Sequence, residues 1–224
     1  MNSVNDIREI FINALENKQF CTDKTGCKTI EIIGASFHAN EPAIFGKPNE
    51  DYIKSEIEWY ESQSLNINDI YVDTDDEGYP KPPPQAWKMT ANHVGEINSN
   101  YGHLIYADKY HNQFDQVVNE LRKNKDSRRA SMVYQRPSIW VEFNDQGKND
   151  FICTNAVTYY IRDNKLHAVV QMRSNDVIFG YRNDHAWQKY VLCELADELQ
   201  VDDGEIYWQV QNLHVYERHF HLVK

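Results

Sequence analysis

Residues 171–190 read "QMRSNDVIFGYRNDHAWQKY". Arg173, Asp176, Arg182 and Asp184 interrupt an otherwise apolar ribbon with one isolated glycine, Gly180, and the ribbon then runs into a helix. Upstream, "ASMVYQRPSIWVEF" (130–143), "FICTNAVTYYI" (151–161) and "LHAVVQM" (166–172) are β-branched and aromatic. The turn-rich "NDQGKND" and the short "RDNK" separate them, which predicts three sequential strands. Downstream, Trp187, Val191, Leu192, Leu195 and Leu199 recur with a helical period, predicting a helix over 184–199 that leads into a final strand over 205–223. The fold class that follows is α+β, a mixed or largely antiparallel sheet with helices packed on it.

The outer parts of the chain agree. Ser3 with Asp6 marks a helix start, and Ile7, Ile10, Phe11, Ala14 and Leu15 give that helix an apolar face. "TIEIIGASF" (29–37) reads as a strand whose interior glycine implies a bulge or a close backbone contact. Residues 110–124 form a second amphipathic helix. The acidic, proline-rich run at 69–86 fits neither period and reads as a surface loop. With 224 residues, 41% hydrophobic and 12% aromatic, one domain spanning 1–224 is expected.

Lys and Arg number 23 against 34 Asp and Glu, a formal charge of −11, which argues against direct nucleic-acid binding or attachment to anionic lipid. Cys21, Cys27, Cys153 and Cys193 form no C-x-x-C pair, so a reducing cytoplasm is the expected compartment. The first residues lack an apolar leader, and no run suits a membrane span.

Several residues invite a chemical reading, each beside a plainer one. On a helix over 49–62, Tyr52, Ile53, Ile57 and Tyr60 form one stripe, and Glu56 falls in its middle. A carboxyl there is either paired in an ion pair or raised in pKa by desolvation, as a general acid or base requires. Cys153 on its strand is a core thiol, or a nucleophile if cations such as Arg128, Arg129 or Arg173 are brought to it. The arginine-hydroxyl combinations "DSRRA" and "RS" at 173–174 suit phosphate or solvent. Asp184, ahead of the expected helix, reads as its N-cap. His214 reads as a core histidine, and His219 and His221, two apart on the final strand, lack a third metal ligand.

In order along the chain, Glu56-x-x-Trp59, Trp87, Tyr101-Gly102, Ser127-Arg128-Arg129, Cys153, Arg173-Ser174-x-Asp176, Gly180, Asp184 and His214-x-Tyr216 resemble the thymidylate synthase superfamily over nearly the whole chain. "DKTG", "KTIEIIGASF", "GEINSNYG", "DSRR", "MRSNDV", "YRNDHAWQKY" and "LHVYERHF" are similar to its phage branch of deoxycytidylate (dCMP) hydroxymethylases.

The resemblance implies a mixed sheet packed with helices, with the sheet face forming a homodimer interface. It also implies 5,10-methylenetetrahydrofolate as co-substrate and no metal. Cys153 would add to C6 of the pyrimidine. Arg173, Ser174 and Lys24 would hold the 5′-phosphate, with Arg128 and Arg129 reaching in from the other subunit, and Asp176 would belong to the same substrate site. Lys24 stands where the synthases carry arginine, so its grip would be less directional. Glu56 would organise water for proton transfer, His214 and Tyr216 would hold the deoxyribose hydroxyl, and Trp87 with Tyr101 would serve the folate. Synthases acting on dUMP carry asparagine where Asp184 stands. A carboxyl group accepts from the cytosine N4 amino group and can share a proton with N3, so Asp184 implies dCMP.

The sequence ends at "HFHLVK", where members of the family continue into a closing tail, which implies a site more open to water. The implied partners are dCMP, a second copy of the chain and a complex of nucleotide-supply enzymes. Two rival readings are a dUMP enzyme of the same family and a catalytically silent nucleotide-binding scaffold.

Overall fold

In a computed structural model of the chain, residues 1–23, 25–71 and 81–224 are described. The elements run β1 (Asn2–Ser3), α1 (Val4–Glu16), β2 (Cys21–Thr22), β3 (Lys28–His38), α2 (Glu50–Glu61), α3 (Gln85–Lys88), α4 (Tyr101–Tyr106) and α5 (Gln113–Lys123). They continue with β4 (Ser131–Val133), α6 (Ile139–Glu142), β5 (Thr154–Arg162), β6 (Lys165–Met172), β7 (Asn175–Asp176), α7 (Gly180–Leu199) and β8 (Asp202–Tyr216). The architecture is α+β and the sheet is mixed, with path β1-β3-β8-β6-β5-β4, β2 added to β3 and β7 to β8. The chain forms two compact units interleaved in sequence, one of residues 1–48, 118–131 and 153–224, the other of residues 49–117 and 132–152.

The first unit is built on the sheet. Its local rules are simple: Ser3 and Asp6 close a capping box at the start of α1. The "RDNK" turn puts Asp163 and Asn164 at positive φ, the two-residue geometry that joins β5 to β6 without splaying them. Val4, Ile7 and Phe11 of α1 and Tyr181, Trp187, Val191, Leu192 and Leu195 of α7 are buried with the apolar residues of the strands.

Three of those strands change face along one line. In β3 the buried residues are Thr29 and Ile30 before Gly34 and Ala35 and Phe37 after it. In β8 they are Ile206, Trp208 and Val210, then the consecutive Leu213, His214 and Val215. In β5 Thr154 is followed by Val157, Tyr159 and Ile161. Asn155 is an extra residue in its ladder, because Thr154 pairs with Met172 and Ala156 with Gln171. Gly34 is not a bulge: Ile33 pairs with Asn212 and Ala35 with Val210, so register is kept across it. Nor does anything approach its missing Cβ; its φ of +74° is the reason for glycine, since a side chain there would cost roughly 1–2 kcal/mol. Beyond the line the buried apolar residues Ile30, Leu213 and Val215 take the opposite phase, and Glu31, Asn212, His214 and Tyr216 occupy the positions beside them.

Other expectations change as well. Residues 130–143 are not one strand: β4 is three residues long, and α6 follows after Pro137. The final strand stops at Tyr216 and gives way to a 3-10 helix, Glu217–Leu222, so His219 and His221 do not share a strand face. Half of the loop expected at 69–86, residues 72–80, lies outside the described residues, and described residues 85–88 are helical.

In the second unit Ile53, Trp59, Tyr60, Ile97, Tyr101, Leu104 and Tyr134 are buried. α4 packs against α2 through Gly102, where a Cβ would lie 1.8 Å from the Tyr60 carbonyl oxygen. No side chain fits between the two helices at that point.

Candidate active site

In the first unit the chain enters β5 through Cys153, leaves β6 through Arg173, and bonds the two together. The Arg173 N–H donates to the Cys153 carbonyl at 2.9 Å, and Arg173 Nη2 lies 3.4 Å from the Cys153 sulfur. A guanidinium at that distance favours thiolate over thiol. Cys153 precedes the strand rather than lying in it and is partly exposed, unlike a core cysteine.

Asp176, on β7, pairs in register with His214 on β8. Its Oδ1 accepts from the backbone N–H groups of Ile178 at 3.0 Å and Phe179 at 2.7 Å, which fixes the turn leading into α7. That helix begins at Gly180, four residues earlier than expected, so Asp184 lies within it and is not its N-cap. The Asp184 carboxylate is held from the side instead. Asn175 Nδ2 donates to Asp184 Oδ2 at 2.7 Å, and Trp208 Nε1 donates to Asn175 Oδ1 at 3.2 Å. This relay, Trp208 to Asn175 to Asp184, leaves the second Asp184 oxygen outside the bond to Asn175.

His214 is buried, and its Nδ1 faces the Asn212 carbonyl at 3.4 Å. Burial pushes its pKa down, while the charges of Asp176 and Glu31 pull it up. Tyr216 stacks edge-on against it, with ring centroids 4.9 Å apart, and Arg218 lies over the Tyr216 ring. Ser174 is half-buried beside Arg173.

The second unit holds a different arrangement. Glu56 on α2 is 5% exposed and meets no cation among the described residues. Its partners are the hydroxyl of Tyr52, one turn back, and Trp87 Nε1 at 3.2 Å; Trp87 Nε1 also reaches the Tyr52 hydroxyl at 3.0 Å. Desolvation raises the Glu56 pKa to about 7, although both hydrogen bonds oppose the rise. The ion-pair alternative for Glu56 is therefore not found. Trp87 is half-buried and meets Trp59 edge-on at 5.3 Å. Tyr101 is 5% exposed and packed between Tyr60 and Tyr134.

The remaining expected site residues stand apart in this single chain. Arg128 is exposed, and Arg129, 79% exposed, pairs with Glu120 at 3.0 Å, where Ser127 also donates. Lys24 lies outside the described residues. Sequence reasoning missed Asn175, Asn212, Glu31 and the role of Tyr52. For Tyr52 the signal was available, since it stands one turn before Glu56 on the same stripe. Among the described residues, no three His, Cys, Asp or Glu side chains form a group able to hold a metal. No helix among them is long and apolar enough to cross a membrane.

A family model described as "Thymidylate synthase" matches residues 6–224. The chain belongs to the thymidylate synthase family. Enzymes of that family use methylenetetrahydrofolate as co-substrate. Among its relatives, the deoxycytidylate 5-hydroxymethyltransferase of Enterobacteria phage T4 is 51% identical over 228 residues, covering 99% of this chain and 89% of that one. The thymidylate synthase of Fusobacterium nucleatum is 32% identical over 139 residues, 60% of this chain and 46% of that one. The crystal structure of thymidylate synthase from T4 phage superposes with a TM-score of 0.77 at 20% identity, covering 96% of this chain and 77% of that one, a likeness of fold.

Proposed function

We propose that this thymidylate synthase family member is a deoxycytidylate 5-hydroxymethyltransferase, converting dCMP, a one-carbon donor and water to 5-hydroxymethyl-dCMP. The observation that carries the reading is the 3.4 Å approach of the Arg173 guanidinium to the Cys153 sulfur, which supports a thiolate nucleophile beside a phosphate-binding cation. Addition of that thiolate to C6 of the pyrimidine makes C5 nucleophilic. Expulsion of the thiolate after the proton leaves C5 restores the aromatic ring.

Asp184 is the base-reading group. Fixed by Asn175 on one oxygen, it presents its carboxyl to the N3 and N4 edge of cytosine, where an amide would meet N4 donor to donor. Arg173 and Ser174, with Lys24, take the 5′-phosphate. Arg128 and Arg129 of the partner subunit complete that site in a homodimer formed through the sheet face. On that face Ile33 is 74% exposed and Ser36, Gln171, Gln209 and Gln211 are also exposed. His214 and Tyr216 take the deoxyribose hydroxyl.

Trp87 is half-buried with its N–H engaged by Tyr52 and Glu56, which fits a flat, stacking heterocycle such as that of a folate. When bound, 5,10-methylenetetrahydrofolate supplies the carbon at the oxidation level of formaldehyde. Trp87 and Tyr101 serve that co-substrate, and Glu56, poised near neutrality, exchanges protons with the water that ends as the new hydroxyl. A nucleotide-supply complex in the host cell is the setting we infer from the phage relatives.

The test is incubation with dCMP or dUMP and methylenetetrahydrofolate, with products identified by mass. The expected pair is 5-hydroxymethyl-dCMP and tetrahydrofolate. Dihydrofolate would indicate methylation, product from dUMP alone would indicate the other base, and no product from either would leave a silent scaffold.

A further inference from the structure

Glu31 and Asn212 belong to none of the roles assigned above, yet three polar groups of Asn212 reach a site residue or Glu31. The Asn212 N–H donates to the Arg173 carbonyl at 3.1 Å, its carbonyl faces His214 Nδ1 at 3.4 Å, and its side-chain amide donates to the Glu31 carboxylate. Glu31 in turn pairs in register with His214 across β3 and β8. Directly opposed residues of an antiparallel pair share a face. A half-buried carboxylate is thereby placed beside the imidazole that would read the sugar. Cys21 and Asn212 both donate to that carboxylate and hold its pKa below the usual carboxylate range, which keeps it ionised.

The orientation has a chemical consequence. An imidazole whose Nδ1–H is engaged by the Asn212 carbonyl presents Nε2 as an acceptor, the role that a sugar hydroxyl donor needs. Glu31 supports that arrangement by fixing the Asn212 side chain, the residue whose carbonyl faces Nδ1.

We infer that Glu31 is a positioning residue that acts through Asn212 and His214 to hold the sugar-reading imidazole in fixed relation to Arg173, and so selects nucleotides with a free 3′-hydroxyl. This rests on the proposed function, in that His214 meets the deoxyribose hydroxyl and Arg173 the phosphate. The partners of Glu31 are Asn212, Cys21 and His214, which assigns it to nucleotide recognition and not to the one-carbon step.

The test compares binding of dCMP with binding of 2′,3′-dideoxycytidine 5′-monophosphate in wild type, Glu31→Gln and Glu31→Leu, alongside kcat and KM for dCMP. Wild type is expected to prefer dCMP. Glu31→Gln should reduce that preference by about threefold and Glu31→Leu by about tenfold, the loss of one charge-assisted hydrogen bond, through KM with kcat within about twofold. The Gln variant keeps the shape of the side chain, so the comparison stands even where the Leu variant folds poorly. Equal weakening of both nucleotides, or no weakening, with wild-type preference intact overturns this inference alone. Wild type that fails to bind dCMP overturns the proposed function together with it.

Discussion

Cys153 and Glu56, the nucleophile and the proton carrier of the proposed reaction, lie in opposite electrostatic settings. The first unit gathers charge: Arg173 lies 3.4 Å from the Cys153 sulfur, and on the following strand and helix the carboxylates of Asp176 and Asp184 are held by backbone N–H groups and Asn175. Around Glu56 the second unit removes charge, leaving a buried carboxyl with a phenol and an indole for company. A nucleophile needs its anion stabilised, whereas a proton carrier needs its two forms close in energy. Low local dielectric serves the second purpose and would defeat the first.

The largest effect should come from breaking the charged side of this contrast. Cys153→Ala is expected to abolish exchange of the C5 hydrogen of dCMP while leaving dCMP binding and the fold largely intact, as read by tritium release and calorimetry. Retained exchange would return Cys153 to a structural role.

Glu56→Gln keeps size and hydrogen bonding at the neutral site but cannot carry a proton. Turnover should fall by roughly 100-fold to 10,000-fold with a smaller change in nucleotide affinity.

Asp184→Asn tests which base the charged side reads. Because Asp184 lies inside α7, the exchange removes no helix cap, and Asn175 can still donate to the new amide oxygen. The ratio of kcat/KM for dCMP over dUMP should fall by roughly tenfold to a hundredfold for each mismatched bond, and an unchanged ratio would remove the case for cytosine.

Mixing Cys153→Ala chains with Arg128→Ala chains asks whether the charged site is completed by a second copy. In an equal mixture about a quarter of all sites carry neither lesion, and activity should recover toward that fraction. No recovery with heterodimers formed would confine these arginines to their own chain.

The smallest effect concerns stability. The Glu56 pKa is raised from 4.5 to about 7 by burial. Below pH 4.5 folded and unfolded chains both hold the proton and the shift costs no stability. As pH rises to about 7 the unfolded chain releases the proton first, and roughly 3 kcal/mol of stability is lost. Denaturant midpoints of wild type should therefore fall across that window relative to Glu56→Gln, which does not titrate.

What the sequence made legible follows the range over which each signal acts. The capping box at Ser3, the β5–β6 hairpin and the Glu56 stripe depend on residues within a few positions of one another, and all three are found. Resemblance named Cys153 and Arg173, and their contact follows from a strand pairing that closes a loop of some twenty residues. Asn175 and Asn212 were not legible, because an asparagine in a strand acquires its role only from a cross-strand neighbour. The start of α7 was misplaced because Asp176, rather than Asp184, supplies the turn. The phase break in β3, β5 and β8 hid in an alternation that looked imperfect on each strand taken singly.

That break has a consequence for how the sheet finds its pairing. Strands with unbroken alternation can slide by two residues and still match face to face. In β3, β5 and β8 the marks at Gly34, Asn155 and the stretch between Val210 and Leu213 must also coincide, as graduations on a vernier coincide at one setting only. Any slip sets one strand's buried side chains against another's exposed ones over part of its length. The same line beyond which His214 lies therefore also encodes the register of the sheet that carries it.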